Sequence, residues 1–391
     1  MAPATPTPSP RPRFVCLRAL LLLGAVAGLL FFGGGAGPAL QPGARALAPV
    51  RAVLGATPPP LARGGALAGG GLPDGGAALT FFLVWTKGAA DWNWLFNAVI
   101  AALLFHHPRA GVVMLSRELP LDFFACFADL GFNISVVRYD FESIARGTPA
   151  EALVASGKVQ GSMYRVAHES DVVRLLVLHR FGGTYVDTDM LFLRPLDDAV
   201  TARSGMGLET VAGANHEFHV PSSRRINNAI LHAPAPHDPF VACMIGELGA
   251  RYDPGVWACI GPDLVGECHD RLAAKAPLDA PALFPREWFY PLDWRFTWYV
   301  NLSNRSRWRL DSFWLPGERA ATYGLHLYNS HSSAQLENHR KGGGYHNTGG
   351  PQAGSYLEEV LARVPLPPQC RAIELNTGPT LGPPRDGEEA F

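Results

Sequence analysis

The stretch Ala167-His-Glu-Ser-Asp-Val-Val-Arg-Leu-Leu-Val-Leu-His-Arg-Phe-Gly-Gly-Thr-Tyr-Val-Asp-Thr-Asp-Met-Leu-Phe-Leu193 decides how this chain is read. Ser170 and Asp171 are residue types that cap a helix. The apolar run from Val172 to Leu178 continues to Phe181, and Gly182-Gly183 then ends it. Thr184 to Val186 reads as a short strand, with Asp187 and Asp189 at its end. Side chains two apart on an extended segment share a side, so these carboxylates can face one ion while Thr188 turns away. Hard oxygen ligands suit Mg²⁺ or Mn²⁺, ions that keep coordination positions open for substrate phosphates, and a nucleotide diphosphate would fill them. An isolated Asp-x-Asp is more often a turn or capping pair. The helix, glycine stop and strand before this one set it apart.

The same alternation extends upstream. Leu79 to Trp85 has strand length and apolar character, Asn93 to Phe105 is helical, and Gly111 to Leu115 and Ile134 to Val137 are further strands. Strands alternating with helices predict an α/β fold with a mixed, largely parallel central sheet flanked by helices. Ligands of such sheets gather at the carboxyl ends of strands, where Asp187 and Asp189 fall and where Trp85 and Thr86 end the first strand. Beyond Leu193 the pattern is less regular. The aromatics of Trp288-Phe-Tyr-Pro-Leu-Asp-Trp294, with Trp298 and Tyr299, serve either as core or as a platform for a sugar ring.

The chain has 391 residues, 48% of them hydrophobic, which is ample for a buried core. Residues 1–73 hold six Arg and no acidic residue, whereas the remainder carries 27 basic and 34 acidic residues, a balance that argues against a nucleic-acid partner. Arg11, Arg13 and Arg18 precede an uncharged run from Ala19 through Phe32. This divides the chain into a basic tail (1–13), a signal anchor or signal peptide (14–40), a Gly/Ala/Pro-rich stem (41–78), a globular domain (79–370) and a disordered tail (371–391). An anchor would keep the basic end cytosolic and place the rest in a lumen, while a cleaved signal or an organellar transit peptide is the alternative. Sequons at Asn133, Asn301 and Asn304 give weak support for a lumenal chain. Five cysteines follow Cys16, namely Cys126, Cys243, Cys259, Cys268 and Cys370. They cannot all pair within one chain, and none has metal-binding spacing.

The run His168-x-Ser-Asp171-x-x-Arg174 followed by Arg180-Phe-Gly-Gly-Thr-Tyr-Val-Asp-Thr-Asp189 resembles the DXD region of the family 32 glycosyltransferases, in particular the α-1,4-galactosyltransferase and α-1,4-N-acetylglucosaminyltransferase group. Asn227-Asn-Ala-Ile-Leu231, Gly261-Pro262-Asp-Leu264, Phe289-Tyr-Pro291 and Tyr323-Gly-Leu-His326-Leu-Tyr-Asn329 recur in order. The resemblance implies a GT-A fold, a nucleotide-sugar donor such as a UDP-hexose, a glycan or glycolipid acceptor, Mn²⁺ or Mg²⁺ as cofactor, retention of anomeric configuration, and a type II Golgi membrane protein with a lumenal catalytic domain. It implies that Asp187 contacts the ribose or the metal and that Asp189 ligates the metal. His326 either completes the metal shell or is a strand histidine with its hydrogen bonds met. Trp85, Thr86, Asp171, Arg174, Gly183, Tyr185, Asn227, Asn228, Gly261 and Pro262 form the implied donor-binding set.

Lys341, beside Gly342-Gly-Gly344, is either a second diphosphate contact or part of a surface loop. His216-Glu-Phe-His219 is one residue short of the zinc spacing on a helix and reads as surface. Three other functions compete. A mannosyltransferase of the same fold would share every motif. A phosphatase of the haloacid dehalogenase type also opens on Asp-x-Asp after a strand, but it requires Thr or Val where this chain has Leu191. A non-catalytic lumenal protein binding a sugar nucleotide or glycan would not need Asp187, Asp189 and His326 intact.

Overall fold

A computed structural model describes residues 79–210, 225–292, 294, 297, 300, 321–329, 350–364 and 370. The readings on residues 1–78 and 371–391, on Asn301 and Asn304, on Trp298 and Tyr299, and on His216, His219 and Lys341 lie outside them. Among the described residues no helix is long and apolar enough to cross a membrane.

Seven strands make the main sheet: β1 (Thr80–Trp85), β2 (Gly111–Ser116), β3 (Ile134–Val137), β4 (Gly183–Val186), β6 (Gly205–Thr210), β7 (Arg225–Ala233) and β8 (Ala282–Phe284). Their spatial order is β3-β2-β1-β4-β7-β6-β8. The first four are parallel, β7 runs antiparallel to β4 and β6, and β8 is parallel to β6. A separate two-stranded sheet joins β5 (Met190–Phe192) to β9 (Gly324–His326). This is the mixed, largely parallel architecture expected from the alternation of strands and helices.

Both faces of the sheet are covered, which is why β1 is apolar from Phe81 to Trp85 rather than alternating. Phe81, Leu83 and Trp85 enter one core, shared with helix α1 (Trp94–His106) and with helix α2 (Ala125–Ala128) through Phe127. Phe82 and Val84 enter the other, shared with helices α3 (Arg165–Phe181), α4 (Pro239–Arg251) and α5 (Pro262–Lys275). Helix α1 buries every residue from Leu95 to Leu104, as expected of a helix apolar on all sides, and the Asn93 side chain caps it by accepting from Leu95 N. The described part of the aromatic stretch is core: Phe289 and Tyr290, at and just beyond the end of helix α6 (Arg286–Phe289), are buried, and Trp288 stacks on Phe284.

Two local expectations are corrected. Ser170 and Asp171 do not start α3, which begins at Arg165 after Tyr164 with no side-chain cap. They lie one turn further in because their polar atoms engage tertiary partners instead of backbone N–H groups. The Asp187 and Asp189 side chains also do not meet along an extended strand. β4 ends at Val186, and a tight turn closed by Met190 N donating to Asp187 O carries Asp189. The two carboxylates converge because the chain reverses there.

Candidate active site

The stop after α3 fixes where the site begins. Gly182 and Gly183 have φ of +68° and +90°, and a Cβ on either would come within 3.0 Å of neighbouring atoms, at the Ala235 backbone and at Thr80 O respectively. With that turn made, β4 lies between β1 and β7, and Asp187 N donates to Ala229 O at 2.9 Å just past the strand end. Asp189 is held from the other side. Leu327 N donates to Asp189 O, Asn329 N donates to Asp189 Oδ2 at 2.7 Å, and the β5–β9 register pairs Met190 with His326.

These constraints bring His326 Nε2 to 3.1 Å from Asp189 Oδ1 and 3.8 Å from Asp187 Oδ2. One ligand atom from each of the three residues lies within 4.8 Å of the others. Two carboxylates and an imidazole suit a divalent ion such as Mn²⁺. The Nδ1 of His326 is buried and has no hydrogen-bond partner among the described residues, and Nε2 is the nitrogen turned to the carboxylates. Burial opposes the charges of this pair, but mutual attraction prevails. Asp189 is held below the ordinary carboxylate range by His326 and Asn329 N, and His326 is raised by Asp189 and Asp187.

Behind the carboxylates sits Arg174, on the face of α3 turned toward the sheet. Its Nη1 donates to Asn228 O at 2.7 Å and lies 3.3 Å from Asp187 Oδ1, its Nη2 is 3.1 Å from Asp171 Oδ1, and the guanidinium stacks 4.3 Å over the Tyr185 ring. Tyr185 OH donates to Asp187 Oδ1 at 2.7 Å, and Asn228 Nδ2 donates to Asp171 Oδ1 at 2.7 Å. Burial pushes the Asp171 carboxyl upward against the pull of Arg174 and Asn228, while Asp187, Tyr185 and Asp171 keep the enclosed guanidinium charged. Gly261, just before α5, abuts the same group, since a Cβ there would meet Asp171 Oδ2 at 2.7 Å and Asn228 Nδ2 at 3.0 Å. Pro262 then opens α5 at a position where its missing N–H costs nothing.

Asp171, Arg174, Tyr185, Asp187, Asn228 and Gly261 thus form one contiguous group. Asn227 belongs to an adjoining one: its Nδ2 donates to Glu209 Oε2, and its Oδ1 accepts from Ala229 N and Tyr290 OH. Glu209 is buried and paired with Arg225 at 3.1 Å. Sequence reasoning missed it because one acid ending a strand carries no spacing signal. Trp85 makes its contacts elsewhere. Its indole donates to Gly88 O and packs edge-on against Trp92 and Phe96, and among the described residues no hydrogen bond or ring contact links Trp85 or Thr86 to the carboxylates.

Residues 95–205 match the family model described as a glycosyltransferase sugar-binding region containing DXD motif. Lactosylceramide 4-alpha-galactosyltransferase of Mus musculus is 25% identical over 264 residues, covering 64% of this chain and 67% of that one. Its Homo sapiens counterpart is 24% identical over 268 residues, covering 64% and 69%. A solved structure of LgtC superposes with a TM-score of 0.35 at 13% identity, covering 63% of this chain and 86% of the other. At that score the likeness is loose, and the architecture follows from the sheet order given above.

Proposed function

We propose that this chain, a DXD-containing glycosyltransferase by its domain match and relatives, is a metal-dependent retaining hexosyltransferase using a UDP-sugar. The observation that carries the reading is the convergence of Asp187, Asp189 and His326. In this reading all three ligate Mn²⁺, or Mg²⁺ in its place. A divalent ion held there would supply positive charge against the departing diphosphate, so that no acid of unusual pKa would be needed.

The chain's own residues do the rest. Asp187 is held between Tyr185 OH and Arg174, which fixes its carboxylate before any donor arrives. Asp171, Asn228 and Gly261 form a polar wall one layer behind it, suited to the hydroxyls of a donor hexose. The donor is galactose or N-acetylglucosamine in this reading, and the acceptor is a glycan or glycolipid, the latter supported by the lactosylceramide of the relatives' names. A Golgi lumen, reached through an anchor at residues 14–40, fits the Cys243–Cys268 disulfide, which belongs to an oxidising compartment.

The test is UDP release and sugar transfer by the purified full chain across a panel of UDP-sugars, with lactosylceramide and soluble glycans as acceptors. We expect one donor to be turned over with Mn²⁺, and both chelation and Asp189→Asn to abolish turnover with circular dichroism unchanged. Undiminished turnover in Asp189→Asn would sink the site assignment. Transfer that persists after chelation would sink the metal dependence.

A further inference from the structure

Seven large apolar side chains are exposed among the described residues, and they are not scattered evenly. Four of them fall on two short segments: Met163 and Val166, just before and within the first turn of α3, and Val256 and Trp257, in the connection from α4 to α5. Met163 is 75% exposed and Trp257 45%.

The two segments are stitched together. Ser162 Oγ donates to Pro254 O at 3.0 Å, Tyr252 OH donates to Lys158 O at 3.1 Å, and the buried His168 places its Nε2 3.2 Å from Val256 O. The Cys243–Cys268 disulfide ties together the two helices that the second segment connects. A backbone braced in this way keeps its apolar side chains in water, an unfavourable placement until something apolar covers them. The surroundings are basic. Residues 157–166 and 254–257 include the exposed Lys158 and Arg165 and no Asp or Glu, and the neighbouring Asp253 turns its carboxylate back to accept from Gly255 N at 2.8 Å. The patch also borders the candidate site. Val166 and Asp171 share α3, and the chain runs from Trp257 directly to Gly261, the glycine that abuts Asp171 Oδ2.

We propose that Met163, Val166, Val256 and Trp257, rimmed by Lys158 and Arg165, form the surface by which the folded domain docks onto a phospholipid bilayer. Four side chains exposed to this extent present a few hundred Å², well short of the roughly 800 Å² per side that a stable protein partner covers, but enough for shallow insertion among lipid headgroups. Tryptophan favours that interfacial depth, and lysine and arginine reach back to the lipid phosphates. One consequence rests on the glycolipid acceptor proposed above: such a headgroup projects from the same bilayer, so docking sets the height at which its sugar meets the wall of Asp171, Asn228 and Gly261.

To test the docking, the full chain is reconstituted in phosphatidylcholine vesicles with a minor share of phosphatidylserine, and its tryptophan emission is compared with and without bromine on the acyl chains. Residues 1–78 hold no tryptophan, so an inserted N-terminal segment is silent in this measurement. Bromination is expected to quench part of the emission. That part should vanish in Trp257→Phe, which docks without the reporter, and in the Met163→Glu, Val166→Glu double variant, which keeps the reporter without docking. No quenching in the wild-type chain, or quenching undiminished in either variant, would overturn the proposal. So would self-association in detergent that the double variant abolishes, with no quenching in vesicles, because a second copy would then be the partner.

Transfer supplies a second readout. On lactosylceramide in vesicles the double variant should lose turnover by about tenfold or more, as expected when a bound geometry is no longer imposed, while turnover on free lactose and the melting temperature stay unchanged. An equal loss on both acceptors would overturn a docking role. Absence of any transfer by the wild-type chain would count against the transferase reading alone, since quenching does not depend on turnover.

Discussion

His326 Nε2 stands 3.1 Å from Oδ1 of Asp189, a residue 137 positions earlier in the chain, and the two are locked in place by neighbouring strands of one small sheet. The hydrogen bond from Asn329 N to the other oxygen of Asp189 leaves that carboxylate little freedom to turn away. A pair held this way keeps its geometry without an ion between its members.

Replacing His326 by Ala is therefore expected to raise the Mn²⁺ concentration for half-maximal turnover by about ten- to a hundred-fold, the range typical of damaged metal shells. A Mn²⁺ titration of activity checks it. A titration unchanged from wild type would return His326 to a purely structural role.

Arg174 is the only described cation in contact with both Asp171 and Asp187. Arg174→Met would strand the buried Asp171 carboxylate and cost about 3 kcal/mol or more of stability. Arg174→Lys is expected to retain part of that stability but lose the stack on Tyr185 and the bond to Asn228 O, with turnover falling by about tenfold or more. Urea unfolding and steady-state kinetics on the two variants separate the effects.

Gly261→Ala places a methyl group against Asp171 and Asn228. We expect a stability loss of about 1–3 kcal/mol and a raised KM for the donor, with the acceptor KM unchanged. Gly266→Ala, on the open face of α5, is the matched control: it should leave the donor KM unchanged and raise stability by up to about 1 kcal/mol, since alanine favours a helix over glycine.

His107 provides a pH signature remote from the site. Its Nδ1 donates to Leu103 O and its Nε2 accepts from Leu196 N, so the ring is held neutral, and burial lowers its pKa from 6.5 to about 4. Between those values the unfolded chain binds the extra proton. The contribution of His107 is thus complete above pH 6.5 and is lost as pH falls toward 4, by about 3 kcal/mol in all. Urea midpoints from pH 7 to 4.5 should fall less steeply in His107→Gln than in wild type. Equal slopes would show that His107 does not titrate this way.

The fold was legible in the sequence wherever one residue type settled one conformation. Gly182 and Gly183 ended α3, the stretch from Asn93 to Phe105 was helical apart from its capping first residue, and the apolar run ending at Trp85 formed a strand. The start of α3 was misjudged because Ser170 and Asp171 have two competing uses. Capping was the local one, and contacts with Arg174 one turn further along the helix and with Tyr185 and Asn228 from the sheet prevailed. The turn that carries Asp189 was hidden for a similar reason, since only the pairing of β5 with β9 shows that the chain reverses there. Glu209 and Tyr290 reach Asn227 through sheet register and a helix end, relations that no spacing along the chain encodes.

The placement of β9 sets an order of events during synthesis. β1, β2, β3 and β4 and the α3 helix come off the ribosome as one continuous block, and the β1–β2, β2–β3 and β1–β4 pairings need nothing made later, while the other edge of β4 waits for β7. The two-stranded sheet cannot form until residue 326 has been made, well over a hundred residues later. A nascent chain can consolidate half its sheet while the three-residue centre still lacks a member, so any ion must be acquired near the end of translation or after it. Chains cut short before Gly324 would keep the β1–β4 pairings and be inert.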